Sequence, residues 1–246
     1  GATPIQNVGA YGQDVSETIA RVHAVDRRTG EVTVLDAGAC EFAYRDSVFK
    51  RALRDRVVVT RVVFSLRPGG APAVRYAELE RALAREGLTA PTLADARRVV
   101  VGLRRAKSMV LDPADENRRS AGSFFTNPIL DDDALAAALA RIGAASVLGP
   151  GESIPRFAAD DGRGTKLAAA WLIERAGFAK GTTDGRVGLS TKHTLAIVNK
   201  GGATAAEILA FARRVQLGVR ARFGVTLRPE PVLLGFSADA ARELLD

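Results

Sequence analysis

Ser123 heads the residues whose surroundings could support chemistry. It lies in Ser-Ala-Gly-Ser-Phe-Phe-Thr-Asn-Pro, residues 120–128, with small residues before it and two large aromatics after it. Ala121 and Gly122 remove side-chain bulk, so the main chain can approach a flat ligand closely. Phe124 and Phe125 are suited to anchoring the strand, which would leave Ser123 fixed at the edge of a cavity. On composition alone a plainer reading stands beside this one, a turn hydroxyl bonded to nearby backbone. Neither histidine, His23 or His193, is close to Ser123 in the sequence, so no neighbouring base marks it as a nucleophile.

The charged residues offer three further sets. Arg97, Arg104 and Lys107 are spaced by seven and three, which on one helix gives a shared face that attracts an anion. A solvated basic surface is the competing reading. In Tyr44-Arg45-Asp46, Arg45 could hold a carboxylate through two parallel hydrogen bonds. Arg51, Arg54 and Arg56 nearby also allow surface decoration. Glu230 sits between Pro229 and Pro231, which stiffen its backbone into an extended form. A lone glutamate in such a segment commonly faces solvent. The run Gly162-Arg163-Gly164-Thr165-Lys166 lacks the spacing of a phosphate loop, and no dinucleotide, zinc-peptidase or nucleophile-elbow motif is present.

These residues belong to a chain of 246, long enough for one large domain or two small ones with a sizeable core. Apolar residues at 47% and charged residues at 26% exclude a disordered chain. With 35 Lys and Arg against 28 Asp and Glu the net charge is +7, which favours anionic partners. Nucleic acid, a nucleotide and a diphosphate-bearing metabolite all satisfy that balance. Charges interrupt every apolar run well short of the ~18 to 20 residues of a membrane helix, so no membrane partner is expected. Cys40 is the one cysteine, and the Cys and His count gives no zinc spacing, so no metal site is expected. The opening Gly-Ala-Thr-Pro lacks a cleavable leader and reads as a piece of a longer cytoplasmic protein.

Residues 1–12, rich in Gly, Ala, Pro and Asn, read as a loop. Ile19 to Val25 and Val32 to Leu35 read as a hairpin, and Val57 to Leu66 as a third strand. Helices are expected over Ala77 to Arg85 and, behind Thr92 as cap, over Leu93 to Ala106. Met109 to Ser120 is polar and aperiodic, the composition of a connector between lobes. Beyond it come an extended segment from Gly122 to Leu130, a helix over Ala134 to Ile142 behind three aspartates, and a helix over Leu167 to Ala176. A strand over Thr194 to Val198, a long helix over Thr204 to Arg222, strands at Val225 to Arg228 and Val232 to Leu234, and a helix over Ala238 to Leu245 complete the reading.

Seven blocks carry a resemblance when taken in order: GATPIQNVGAYG, FAYRDSVFK, RRAKSMVLDP, SAGSFFTNP, KLAAAWLIERAGFAKG, STKHTLAIVNKGGATAAEIL and LRPEPVLLG. Together they resemble the UDP-N-acetylenolpyruvoylglucosamine reductase (MurB) family, flavoenzymes of bacterial cell-wall synthesis. The resemblance implies an α+β fold: part of a two-lobed FAD-binding domain of the vanillyl-alcohol-oxidase type, followed by a MurB-type α/β substrate-binding domain. It assigns residues 1–107 to the second flavin lobe, 108–224 to the substrate domain and 225–246 to a tail returning to the flavin domain. The first flavin lobe is absent from the sequence, so residues 1–246 alone are expected to bind FAD weakly or not at all.

The family chemistry explains the residue types. NADPH reduces FAD, which delivers hydride to C3 of an enolpyruvyl group and leaves enolate-like charge beside its carboxylate. By resemblance Arg45 and Glu230 polarise the carboxylate and the developing enol, and Ser123 gives a proton to C2. Tyr44, Tyr76, Lys107, Asn127 and Lys180 would hold the UDP-sugar, Tyr76 suggesting the subclass that closes a loop over it. Gly1, Ala2, Gln6, Gly9 and Tyr11 would line the flavin, and Arg104 would lie near flavin and diphosphate. The sequence departs from some members at Val232, where they have Arg, at Ile154, where they have a stacking Tyr, and at His193, which can be Gln. Two other classes remain in view: an inactive substrate-binding fragment, and a basic nucleic-acid-binding protein supported by charge alone.

Overall fold

In β3, Ile19–Asp26, alternation between the faces of a sheet buries Val22, Ala24 and Asp26, and Ile19 is buried too, ahead of an irregularity in register before Arg21. The computed structural model describes residues 1–159, 162 and 164–237, and they form two compact units divided between Leu103 and Arg104. In the first unit β3 is the centre of a three-stranded antiparallel sheet, flanked by β4, Val32–Asp36, and β5, Val57–Phe64. The β3–β4 turn is closed by Asp26, whose Oδ1 accepts the main-chain N–H of Arg28 at 2.8 Å. That bond and the Arg56 guanidinium hold the Asp26 carboxyl below its ordinary range. The core under the sheet is Ile19, Val22, Leu35, Cys40, Val48 and Phe49. Burial, and then Asp36, pushes the Cys40 thiol up to about 11, so it stays protonated and unreactive at neutral pH.

Two helices follow at the expected positions. In α2, Ala77–Arg85, Leu79 and Leu83 fall one turn apart and are buried together with Val99 of α3, Leu93–Ala106. Thr92 caps α3: its Oγ1 accepts from Asp95 N at 3.2 Å while Asp95 Oδ2 accepts from Thr92 N at 3.0 Å.

Residues 1–12 are more ordered than their composition suggests. They hold a one-turn helix, α1, Ala2–Ile5, and then β1, Gly9–Ala10, which pairs with β2, Gln13–Asp14. The buried Asn7 makes this possible. Its Nδ2 donates to Ala43 O at 2.9 Å and its Oδ1 accepts from Ser16 N at 3.1 Å, so one side chain ties two distant segments to the turn.

In the second unit the long helix α6, Ala205–Phe223, supplies the spine. Phe211, Val215, Val219 and Phe223 recur every four residues, and all are buried in one apolar core. Thr204 and Glu207 form a reciprocal cap at its start. Its end turns on Gly224, whose φ of 72° is the left-handed form that glycine adopts without a Cβ penalty. Against it pack α4, Asp132–Ala144, and α5, Ala169–Arg175. Asp131 caps α4 through Ala134 N at 2.8 Å, and Asp132 and Asp133 add negative charge where the helix dipole favours it.

Two antiparallel sheets complete this unit. One has the order β10, Thr183–Asp184, β11, Val187–Leu189, β12, Ala196–Asn199, and β6, Ser120–Ser123. The other has β7, Ile129–Leu130, β9, Thr165–Leu167, and β8, Arg156–Ala158. The helix expected from Leu167 begins at Ala169 instead, because Leu167 closes β9 opposite Arg156. The strand expected over Thr194 to Val198 starts at Ala196, since the residues before it form a turn. Residues 225–228 form no regular strand. Val225 and Leu227 are buried in the core of the second unit, and Phe125 pairs with Pro229 in a single antiparallel bridge. The helix expected over Ala238 to Leu245 lies outside the described residues.

Candidate functional site

Two hydrogen-bonding arrangements, one in each unit, gather Gln6, Gly9 and Arg45 in the first and Ser123 and Glu230 in the second. In the first unit Arg45, with φ at 53°, points its guanidinium into the turn around β1. Its Nη2 donates to Gly9 O at 2.8 Å, its Nη1 donates to Asn7 O at 3.1 Å, and Asp14 Oδ1 lies 3.5 Å away. The guanidinium also lies 5.1 Å from the centre of the Tyr44 ring. Gln6 is tied to the same cluster, for Lys50 Nζ donates to its Oε1 at 2.9 Å and to Arg45 O at 2.7 Å. Tyr11 and the exposed Tyr76 meet edge to face with ring centres 5.6 Å apart. Gly1 and Ala2 are exposed.

Gly9 has a packing reason to be glycine. A Cβ there would lie 1.6 Å from Asp14 Oδ1 and 3.0 Å from Arg45 Nη1. Gly9→Ala is therefore expected to push the Asp14 carboxylate away from Arg45 and to destabilise the chain by about 1–3 kcal/mol, the usual cost of overpacking. Urea unfolding checks this. A variant as stable as the parent would mean that the carboxylate moves aside freely.

In the second unit Ser123 ends β6, and its hydroxyl Oγ lies 3.3 Å from His193 Nε2. Strand pairing brings them together across seventy residues, because β6 lies beside β12 with Ser123 opposite Ala196 and an irregularity in register just beyond. Phe124 N donates to Leu195 O at 2.7 Å, fixing the strand against the turn that carries His193. That turn is itself held. Ser190 Oγ accepts from Lys192 N at 3.1 Å and His193 N at 3.2 Å, and buried Thr194 donates to Glu174. Asn117, also buried, accepts Thr191 N at 3.0 Å and donates to Thr191 Oγ1 at 3.0 Å. Lys192 pairs with Asp115 at 3.1 Å. The main-chain N–H of Asn117, then the Ser108 hydroxyl and Lys192, hold the Asp115 carboxyl down to about 2.

Glu230 approaches from the other side of the same segment. Its N–H donates to Phe124 O at 2.8 Å, and Thr126 N donates to Arg228 O at 3.0 Å. Phe124 and Phe125 are buried with ring centres 5.2 Å apart, in the anchoring role expected of them. Within this unit the fold thus gathers Ser123, His193 and the backbone of Glu230. Ser123 is no local turn hydroxyl; its partner is the imidazole.

The remaining expected site residues have definite places. Asn127 Oδ1 accepts from Ala169 N at 2.9 Å, so it caps the start of α5. Lys180 is exposed in the turn after α5. Lys107 directly follows the last residue of α3, the helix that carries Arg97 and Arg104. The helix ends at Ala106, Arg104 O accepts from both Lys107 N and Met109 N, and the chain turns at Ser108, whose φ is 58°. Arg104 Nη2 donates to Met109 O at 3.2 Å and so braces that turn. Among the described residues no cluster of His, Cys, Asp or Glu could hold a metal, and no helix is long and apolar enough to cross a membrane.

The loop after α4 carries an internal reporter. Glu152 Oε1 accepts from Trp171 Nε1 at 2.9 Å and Arg175 Nη2 at 2.5 Å, and its Oε2 accepts from Gly149 N at 2.9 Å. The Gly149 bond, then Trp171 and Arg175, lower the Glu152 carboxyl from its ordinary 4.5 to about 2. A carboxyl lowered on folding stabilises the folded form above its ordinary value, and that contribution is lost as pH falls through about 2. Trp171 is the sole tryptophan, so its fluorescence should change over that interval, and Glu152→Gln should abolish the step. A step retained in the variant would assign it to another carboxyl.

Two mixed α/β units make up the chain, and the second, built on α6, brings Ser123 at the end of β6 beside His193 in the turn before β12. Residues 112–234 match the family described as UDP-N-acetylenolpyruvoylglucosamine reductase, C-terminal domain. The chain belongs to this family. It is 56% identical over 236 residues to the UDP-N-acetylenolpyruvoylglucosamine reductase of Thermobifida fusca, covering 96% of this chain and 65% of that protein. With the same-named protein of Mycobacterium tuberculosis it shares 50% identity over 242 residues, covering 96% and 64%. The chain therefore spans less than two thirds of these curated relatives. The crystal structure of UDP-N-acetylenolpyruvylglucosamine reductase (MurB) from Thermus caldophilus superposes with a TM-score of 0.53 at 22% identity, over 94% of this chain and 58% of that one.

Proposed function

We propose that the chain is part of an NADPH- and FAD-dependent reductase that converts UDP-N-acetylglucosamine enolpyruvate to UDP-N-acetylmuramate in the cytoplasm. Ser123 donates the proton to C2, and Arg45 and Glu230 polarise the substrate carboxylate and the developing enol. This is electrostatic stabilisation of the oxyanion kind. Tyr44, Tyr76, Lys107, Asn127 and Lys180 hold the UDP-sugar. Residues 1–107 serve the flavin and residues 108–224 serve the substrate, while Val225 and Leu227 at the start of the tail pack in the core of the second unit rather than with the flavin lobe. The single observation that carries the reading is the Ser123 hydroxyl, held on a strand end 3.3 Å from an imidazole and beside the backbone of Glu230.

The first twelve residues suit a planar cofactor. Their exposed members are Gly1, Ala2, Val8, Ala10 and Gly12, none of which carries a long side chain, while Gln6 and Tyr11 are half-buried. Gly1, Ala2, Gln6, Gly9, Tyr11 and Arg104 are the residues that hold FAD in this reading, and bound FAD supplies hydride drawn from NADPH. The test is turnover by the full-length enzyme. Oxidation of NADPH that depends on the enolpyruvyl UDP-sugar supports the reading, and oxidation indifferent to that substrate opposes it.

A further inference from the structure

We propose that His193 supplies the proton that Ser123 passes to the substrate, so that serine and imidazole act as a two-step relay. The inference rests on the function proposed above, which makes Ser123 the donor to C2. A serine hydroxyl that gave up its proton alone would be left as an alkoxide, a far stronger base than anything else in the turn. An imidazolium, whose ordinary pKa is about 6.5, is the strongest acid a neutral-pH site readily offers. His193 Nε2 is 3.3 Å from the Ser123 oxygen. With the proton on Nε2 the imidazole donates to Oγ, whereas a proton on Nδ1 alone would make Ser123 the donor.

The proton transfer balances within the protein, with the hydride as the one equivalent that the cofactor would bring. Bound FAD would supply the hydride that C3 receives; on the protein's side the Oγ–H bond of Ser123 breaks as a C–H bond forms at C2. At the same time the Nε2–H bond of His193 breaks and the serine O–H bond is restored. The net change is one proton moved from imidazolium to carbon, and solvent later returns the imidazole to its charged form.

The surroundings are built to keep the imidazole at that place. The main-chain N–H of His193 is held by Ser190 Oγ, its main-chain carbonyl accepts from Ala196 N at 3.0 Å, and Thr191 before it is clamped by buried Asn117. Several charged side chains near the turn are drawn into other bonds. Lys192 is paired with Asp115, Glu116 accepts from Thr191 Oγ1 at 2.9 Å, and Glu174 of α5 accepts from Thr194. Glu230, on the segment after Arg228, is bound through its main chain to Phe124.

Two measurements test the relay. In the 246-residue chain carrying His23→Gln, His193 is the remaining imidazole, and its nitrogen resonances can be followed by NMR as pH changes. Ser123→Ala should move the Nε2 resonance and its titration midpoint; no movement would overturn the coupling. In the full-length enzyme, recolouring of reduced flavin by substrate should slow as pH rises through the imidazole midpoint. His193→Ala should slow that half-reaction by about 10- to 100-fold and abolish the pH dependence. His193→Gln, which keeps a donor but cannot titrate, should recover part of the rate with no pH dependence. A wild-type enzyme that turns over while His193→Ala keeps the parental pH profile would overturn the relay and leave the function intact. A wild-type enzyme whose flavin is never recoloured by substrate would overturn the function, and the relay with it.

Discussion

Replacing Ser123 by alanine in the full-length enzyme is expected to slow recolouring of reduced flavin by substrate about 10²- to 10⁴-fold, the range that general acid catalysis supplies. Bleaching of the flavin by NADPH should stay near the parental rate. The two halves separate because only reduction of the enolpyruvyl group needs a proton at C2. Alanine fills the same backbone place in β6, so the bonds of Phe124 to Leu195 and Glu230 survive, and the change is confined to the hydroxyl. Each tenfold loss corresponds to about 1.4 kcal/mol of transition-state stabilisation. Stopped-flow spectra resolve both halves. Equal slowing of both would indicate a damaged flavin site, and no slowing of either would remove Ser123 from the reaction.

Phe223→Ala is expected to destabilise the second unit by about 3–5 kcal/mol, the usual cost of emptying a buried aromatic site. Phe223 is fully buried at the last turn of α6, and its ring lies 6.3 Å from that of Trp171 on α5. The cavity would open where α5 and α6 pack against each other. Trp171 fluorescence in a urea titration follows the loss directly. A decrease under about 1 kcal/mol would show that neighbouring side chains collapse into the space.

The elements legible in the sequence were those with period and punctuation. The bounds of α2 and α3 agree with the apolar spacing, and α6 follows its Thr204 cap and four-residue repeat closely. Two- and three-residue strands such as β8, β10 and β11 are too short to show alternation, and tertiary pairing alone makes them strands. Residues 1–12 misled by composition, because the order there comes from Asn7 bonding to Ala43 and Ser16.

The site divides the same way. Ser123 and its phenylalanine anchors were visible as a local pattern, and Glu230 as a glutamate between prolines. The pairing of Ser123 with His193 was not, since it depends on β6 joining β12 and on a turn shaped by Ser190. The cluster Ser-Thr-Lys-His-Thr before an apolar strand was the one local hint of a hydroxyl-pinned turn. Arg45 was read as a carboxylate clamp, and the fold also shows it bracing the carbonyls of Asn7 and Gly9.

Anaerobic single turnover of the full-length enzyme tests the central claim most directly. NADPH should bleach the bound flavin, and added UDP-N-acetylglucosamine enolpyruvate should then restore the yellow colour and yield one equivalent of UDP-N-acetylmuramate. Reduced flavin that stays bleached in the presence of that substrate, with no product formed, would contradict the account.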